Sequence, residues 1–141
     1  MKKIIAVLLS VCLLVLLCAC GEKPVPPVLA ENERILLAMP QKTGGEVTFK
    51  YKVITDKENI GKIISAVNNA PKTIAEENDG AEAISKQVLA RIRLSDGTTV
   101  SLYGEGEIYI NALYKTDAAA IAGELKAVYD ATAGEELDWK K

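Results

Sequence analysis

Histidine is missing from this 141-residue chain, and its three cysteines, Cys12, Cys18 and Cys20, all lie within the first twenty positions. The part after Cys20 therefore has no imidazole base, no thiol nucleophile, no disulfide of its own and no His/Cys set for structural zinc. Aromatic residues are scarce, with one Trp, one Phe and five Tyr. A concentrated positive block is missing as well. Two of the 17 Lys and Arg, Lys2 and Lys3, precede Cys20, so 15 basic residues face 19 acidic ones beyond it, a balance near −4. Nucleic-acid binding needs dense positive charge that releases counterions, so no nucleic-acid partner is expected. No cofactor is expected either.

What the sequence does have begins with an address. Met1-Lys2-Lys3 is a short positive region, followed by 14 residues of apolar character from Ile4 to Leu17. That run fits a secretory signal better than a bilayer-spanning helix of about 20 residues. It ends in Leu17-Cys18-Ala19-Cys20, with Leu17 three before the last cysteine and small Ala19 one before it. This spacing resembles the lipobox of bacterial lipoproteins. The resemblance implies a signal peptide over 1–19, a diacylglyceryl group on Cys20 and cleavage that leaves Cys20 first. Cys18 fits poorly as the modified residue because bulky Leu17 precedes it. A Cys-x-Cys metal or redox pair lacks further soft ligands to complete a site. The expected location is the outer side of a bacterial cell membrane, with the membrane itself as the first partner.

Residues 20–32 read as the lipidated cysteine and a tether. Pro24, Pro26 and Pro27 favour extended polyproline II at roughly 3.1 Å per residue, about 35 Å of semi-stiff reach. The folded domain is expected over 33–134, with a polar tail at 135–141. Ile35, Leu37 and Met39 alternate with Arg34, Leu36 and Ala38 until Pro40 ends the run, and Gln41–Gly45 is a turn. Val47, Phe49, Tyr51 and Val53 then alternate with Thr48, Lys50 and Lys52, the pattern of a half-buried strand. Thr55 and Glu58 form a capping box ahead of a helix striped with Ile60, Ile63, Ile64 and Val67, which stops at Asn68-Asn69-Ala70-Pro71.

Residues 88–112 predict a three-stranded meander. A three-residue loop at Ser95-Asp96-Gly97 pairs Leu94 with Thr98, Ile92 with Val100 and Ala90 with Leu102, so every apolar pair shares a face. A second loop at Gly104-Glu105-Gly106 pairs Leu102 with Ile108 and Val100 with Ile110. Thr116-Asp117 can cap a last helix with Ile121, Leu125 and Val128 on one side. The expected fold is α+β: about five antiparallel strands in the order ββ-α-βββ-α, both helices on one face.

The same register defines a second face with Leu89, Arg91 and Arg93 on one strand, Thr99, Ser101 and Tyr103 on the next, and Tyr109 and Asn111 on the third. Arg91, Arg93, Ser101, Tyr103, Tyr109 and Asn111 are the candidate binding residues. Arginine and tyrosine together can stack on, or hydrogen-bond to, a sugar, peptide or anionic polymer. A plain solvated sheet face has the same composition. The long acidic stretch between Pro71 and Gln87 does not match a calcium loop, because Ala75 and Lys86 stand where the first and last ligands belong. Gly104-Glu105-Gly106 lacks the third glycine of a dinucleotide loop, and adjacent Ser85-Lys86 do not face each other on a helix.

The Val53–Ile60 stretch followed by helix and meander also resembles small uncharacterised lipoproteins of Gram-positive bacteria, which implies no activity. The expected function is non-catalytic: an anchored module binding a protein, peptide or cell-wall component. A small carboxylate-dependent hydrolase and a structural subunit of an envelope complex are the alternatives.

Overall fold

The computed structural model describes residues 25–75 and 87–139. The expected signal peptide and lipobox with Cys20, and the acidic stretch 76–86, lie outside the described residues. Ten elements follow in order: β1 (Ile35–Thr43), β2 (Glu46–Ile54), α1 (Lys57–Asn69), β3 (Thr73–Ile74), β4 (Val88–Leu94), β5 (Thr99–Tyr103), β6 (Glu107–Ile110), β7 (Ala112–Lys115), α2 (Ala118–Ala131) and β8 (Leu137–Asp138). They make a mixed fold of two helices and one antiparallel sheet. That sheet has eight strands rather than five, in the order β3-β7-β6-β5-β4-β1-β2-β8. The three unforeseen strands, β3, β7 and β8, are two to four residues long. Segments that short show no usable periodicity; long-range pairing alone makes them strands.

The meander registers follow the expected pattern. Ala90 pairs with Leu102, Ile92 with Val100 and Leu102 with Ile108, and the Leu94 N–H donates to the Thr98 carbonyl at 2.9 Å. Gly97 takes the left-handed position at φ 90°. A fourth strand extends the meander because the chain reverses again at Asn111, which sits at φ 60°. Asparagine tolerates this region better than most residues. Asn111 is thus a turn apex and not part of a strand.

The first hairpin departs from expectation in three ways. Pro40 does not end β1, which continues to Thr43. Beyond Ala38 the strand is paired on one side only, where a missing N–H costs little. The turn is Gly44-Gly45, both at positive φ (61° and 91°), as a two-residue hairpin of the primed type requires. That turn fixes Ile35 opposite Ile54, Leu37 opposite Lys52 and Met39 opposite Lys50. Lys50 and Lys52 therefore share the face of the core, and Val47, Phe49, Tyr51 and Val53 lie on the other.

The buried stripes of α1 (Ile60, Ile63, Val67) and α2 (Ile121, Leu125, Val128) join one cluster with Ile35, Leu37, Ile92, Leu94, Val100, Leu102, Ile108 and Ile110. The two helices touch each other, and α2 lies against β1, β4 and β5. We call the sheet face carrying these residues inner and its opposite outer. Full burial of one Leu or Ile side chain contributes about 1.5–3 kcal/mol, so this cluster dominates stability. Asp56, one residue after the expected Thr55, caps α1 by accepting from the Asn59 N–H at 2.9 Å, and Asp117 caps α2 at Ala120. Leu29 belongs to the same cluster. Its N–H donates to Asn68 Oδ1 at 2.8 Å and its carbonyl accepts from Asn68 Nδ2 at 2.9 Å. Asn32 in turn accepts from the Ser95 N–H at 3.0 Å. Residues 29–32, expected within the tether, are therefore held on the domain.

Candidate functional site

The outer face owes its chemistry to the hairpin phase just described. Across β2, β1 and β4 it presents Phe49, Tyr51 and Val53, then Pro40, Ala38 and Leu36, then Arg91 and Arg93. Ala38 is the key to the geometry. It stands between Tyr51 and Arg91 and is itself fully buried, so the long arginine stem crosses β1 above a methyl group. The Arg91 guanidinium carbon lies 5.2 Å from the Phe49 ring centroid. One rung along, the Arg93 guanidinium carbon lies 4.6 Å from the Trp139 ring centroid. Trp139 meets Tyr51 edge to face, with centroids 5.9 Å apart and planes at 83°. Both contacts fall within the range where a cation is attracted to the ring quadrupole, and each contributes about 0.5–1 kcal/mol when exposed.

Trp139 is placed by residues expected to be tail. β8 pairs Leu137 with Tyr51 and Asp138 with Lys50, and the Trp139 N–H donates to the Phe49 carbonyl at 3.0 Å. Lys50 and Asp138 also form an ion pair. The result is a hollow of about 480 Å³ lined by Leu36, Tyr51, Arg93, Leu137, Asp138 and Trp139. A second hollow of about 320 Å³ lies further along the same face, lined by Pro40, Lys42, Val47, Phe49, Gln87 and Val88. Val47 in the second hollow is 56% exposed, and Leu137 in the first is 37% exposed, high values for apolar residues beside aromatic rings. No family model, curated protein or solved structure matches the chain. The chemistry of the face must therefore be read from its own residues.

Of the six candidate residues, the structure brings two into this patch: Arg91 and Arg93. Ser101 and Tyr103 are buried, at 2% and 1% exposure, and offer no open surface. Tyr109 pairs with Ser101 and Leu113, away from the rings, and Asn111 is exposed at its turn. Leu89 does not belong to the outer face. A bulge between Val88 and Ala90 turns Val88 toward Phe49 and packs Leu89 against the core. The residues missed were Phe49, Tyr51 and Trp139. Their scarcity was the available signal: the chain's only Phe and only Trp stand together here.

The inner face uses its cations differently. Lys52 Nζ donates to the Tyr129 carbonyl at 3.0 Å and the Thr132 carbonyl at 2.9 Å, which closes the C-terminus of α2 with a positive charge. It also sits 4.7 Å from the Tyr129 ring centroid. Burial, with Glu136 nearby, pushes the Tyr129 phenol up to about 12. The hydrogen bond from Gln41 holds the Glu136 carboxyl below its ordinary value. Burial lowers Lys72, whose Nζ donates to the last carbonyls of α1 at Val67 and Ala70. Among the described residues no group of three or more metal-ligating side chains occurs, and no helix is long and apolar enough to cross a membrane.

Proposed function

We propose that the protein is a lipoprotein held by Cys20 on the outer side of a bacterial cell membrane, and that its domain acts by binding rather than catalysis. In this reading both helices share the inner face, and the outer face of β2, β1 and β4 is the binding surface for a protein, peptide or wall component. The observation that carries it is the grouping of Phe49, Tyr51 and Trp139 with Arg91 and Arg93 around two adjoining hollows. Rings that only covered a core would lie beneath the sheet. These lie on its open side, half-exposed, in a chain that has few. The single helix–sheet core, with the two helices in contact, supports the placement of both helices opposite this face.

A photo-crosslinking residue at Val53, 38% exposed on the outer face, tests the surface in intact cells. Adducts from Val53 and none from a control at exposed Lys62 on α1 are expected; equal yields from the two positions would refute the reading. The anchor is tested separately. Labelled fatty acid should enter the wild type and not Cys20→Ala, and label retained in that variant would rule it out.

A further inference from the structure

We propose that the outer face takes an acidic glycan, a linear chain of carboxylate-bearing sugars laid along β1 across both hollows. This rests on the reading of that face as the binding surface and names its ligand class. β1 is paired with β2 along its whole length and with β4 from Ile35 to Ala38, so its main-chain groups here are largely occupied. An extended peptide that binds by adding a strand needs a free sheet edge, and around Leu36 and Ala38 there is none. Recognition in the first hollow falls to side chains.

Tyr51, Trp139 and Phe49 present ring faces and edges, on which the apolar C–H face of a sugar packs while its hydroxyls stay in water. Arg93 stacks on Trp139 and has no hydrogen bond or ion pair with any described residue, so its N–H donors are open to a carboxylate held in a two-pronged fashion. Exposed Lys42 in the second hollow likewise has no ion pair with a described residue. Asp138, the acid that lines the first hollow, is already paired with Lys50, and no acid lines the second hollow.

Leu36 marks the first hollow and Pro40 the second, four residues apart on one strand, or about 13 Å at roughly 3.3 Å per residue. Each hollow combines a ring with a cation. A polymer with regularly repeated acids meets that pairing twice, whereas a single small acid meets it once.

The lone tryptophan supplies the readout. The full-length protein in detergent is titrated with an oligogalacturonate hexamer while Trp139 fluorescence is followed. The same titration is run with the fully methyl-esterified hexamer, a hexaglutamate peptide and an oligothymidylate. A saturable change with the acidic hexamer is expected. Binding should weaken at least tenfold for the ester, for a dimer that fills one hollow, and for Arg93→Gln. Lys42→Gln, at an exposed position that leaves the core untouched, should weaken the hexamer and leave the dimer unchanged. No saturable change with the acidic hexamer, equal binding of the ester, or equal or tighter binding of the peptide or oligothymidylate would overturn the proposal. Crosslinks from Val53 that persist alongside such a result would leave the binding surface standing and remove only the glycan.

Discussion

Lys50 and Lys52 on the inner face of the sheet, and Arg91 and Arg93 on its outer face, each stand two residues apart on one strand and meet different kinds of partner. On the inner side Lys50 and Lys52 are bound: one pairs with Asp138, the other closes the end of α2. Their aliphatic stems lie along the sheet and their charged heads reach its margin. On the outer side the guanidinium carbons of Arg91 and Arg93 lie 5.2 Å and 4.6 Å from the centroids of the Phe49 and Trp139 rings. A lysine ammonium satisfies converging carbonyls as a point charge, while a planar guanidinium can stack and still present donors outward. The inner cations hold the ends of elements, and the outer ones sit against aromatic rings.

The largest break in that contrast should come from the inner side's apolar floor. Leu102→Ala, at a position 1% exposed between α2 and the sheet centre, is expected to cost about 3 kcal/mol. A lower urea midpoint at unchanged slope would report it, and a loss below about 1 kcal/mol would show that the core closes around the gap. Next comes alkaline pH. Tyr129 has its folded pKa raised to about 12 from the ordinary 10.0, so its contribution is fully present below pH 10 and is lost as pH rises toward 12. Relative to Tyr129→Phe, which has nothing to titrate there, the wild type should lose roughly 2 kcal/mol across that window. A parallel decline of both proteins in pH-dependent unfolding would contradict burial as the cause. The smallest effect belongs to the outer face: Arg93→Gln should change unfolding free energy by less than about 1 kcal/mol. A larger loss would make Arg93 a structural residue and erase the difference between the faces.

The meander was legible in the sequence because only one register put Ala90, Ile92, Val100, Leu102 and Ile108 on one side. Both helices announced themselves by apolar stripes behind capping residues. The phase of β2 was not legible. Each of its alternating sets can be buried, one as apolar rings and the other as lysine stems, and the choice was made by a two-glycine turn and by the carbonyls of a helix about 80 residues away in the chain. β8 was hidden for a related reason, since two residues carry no period and Trp139 finds its place through Phe49 and Arg93. The candidate site was thus half visible: its arginines followed from local register, its rings from contacts between distant parts of the chain.

The clasp between Leu29 and Asn68 decides where a mechanical load enters. A pull on the chain ahead of Val25 reaches the end of α1 through a side-chain amide, and the turn at Ser95 through Asn32, before it reaches the first residue of β1. Tension is shared between a helix end and a hairpin turn, and the outermost pair of the β1–β2 ladder is not the first to be peeled. Load applied ahead of Val25 thus meets one end of the domain, and the Gly44-Gly45 turn lies farthest from that end along β1.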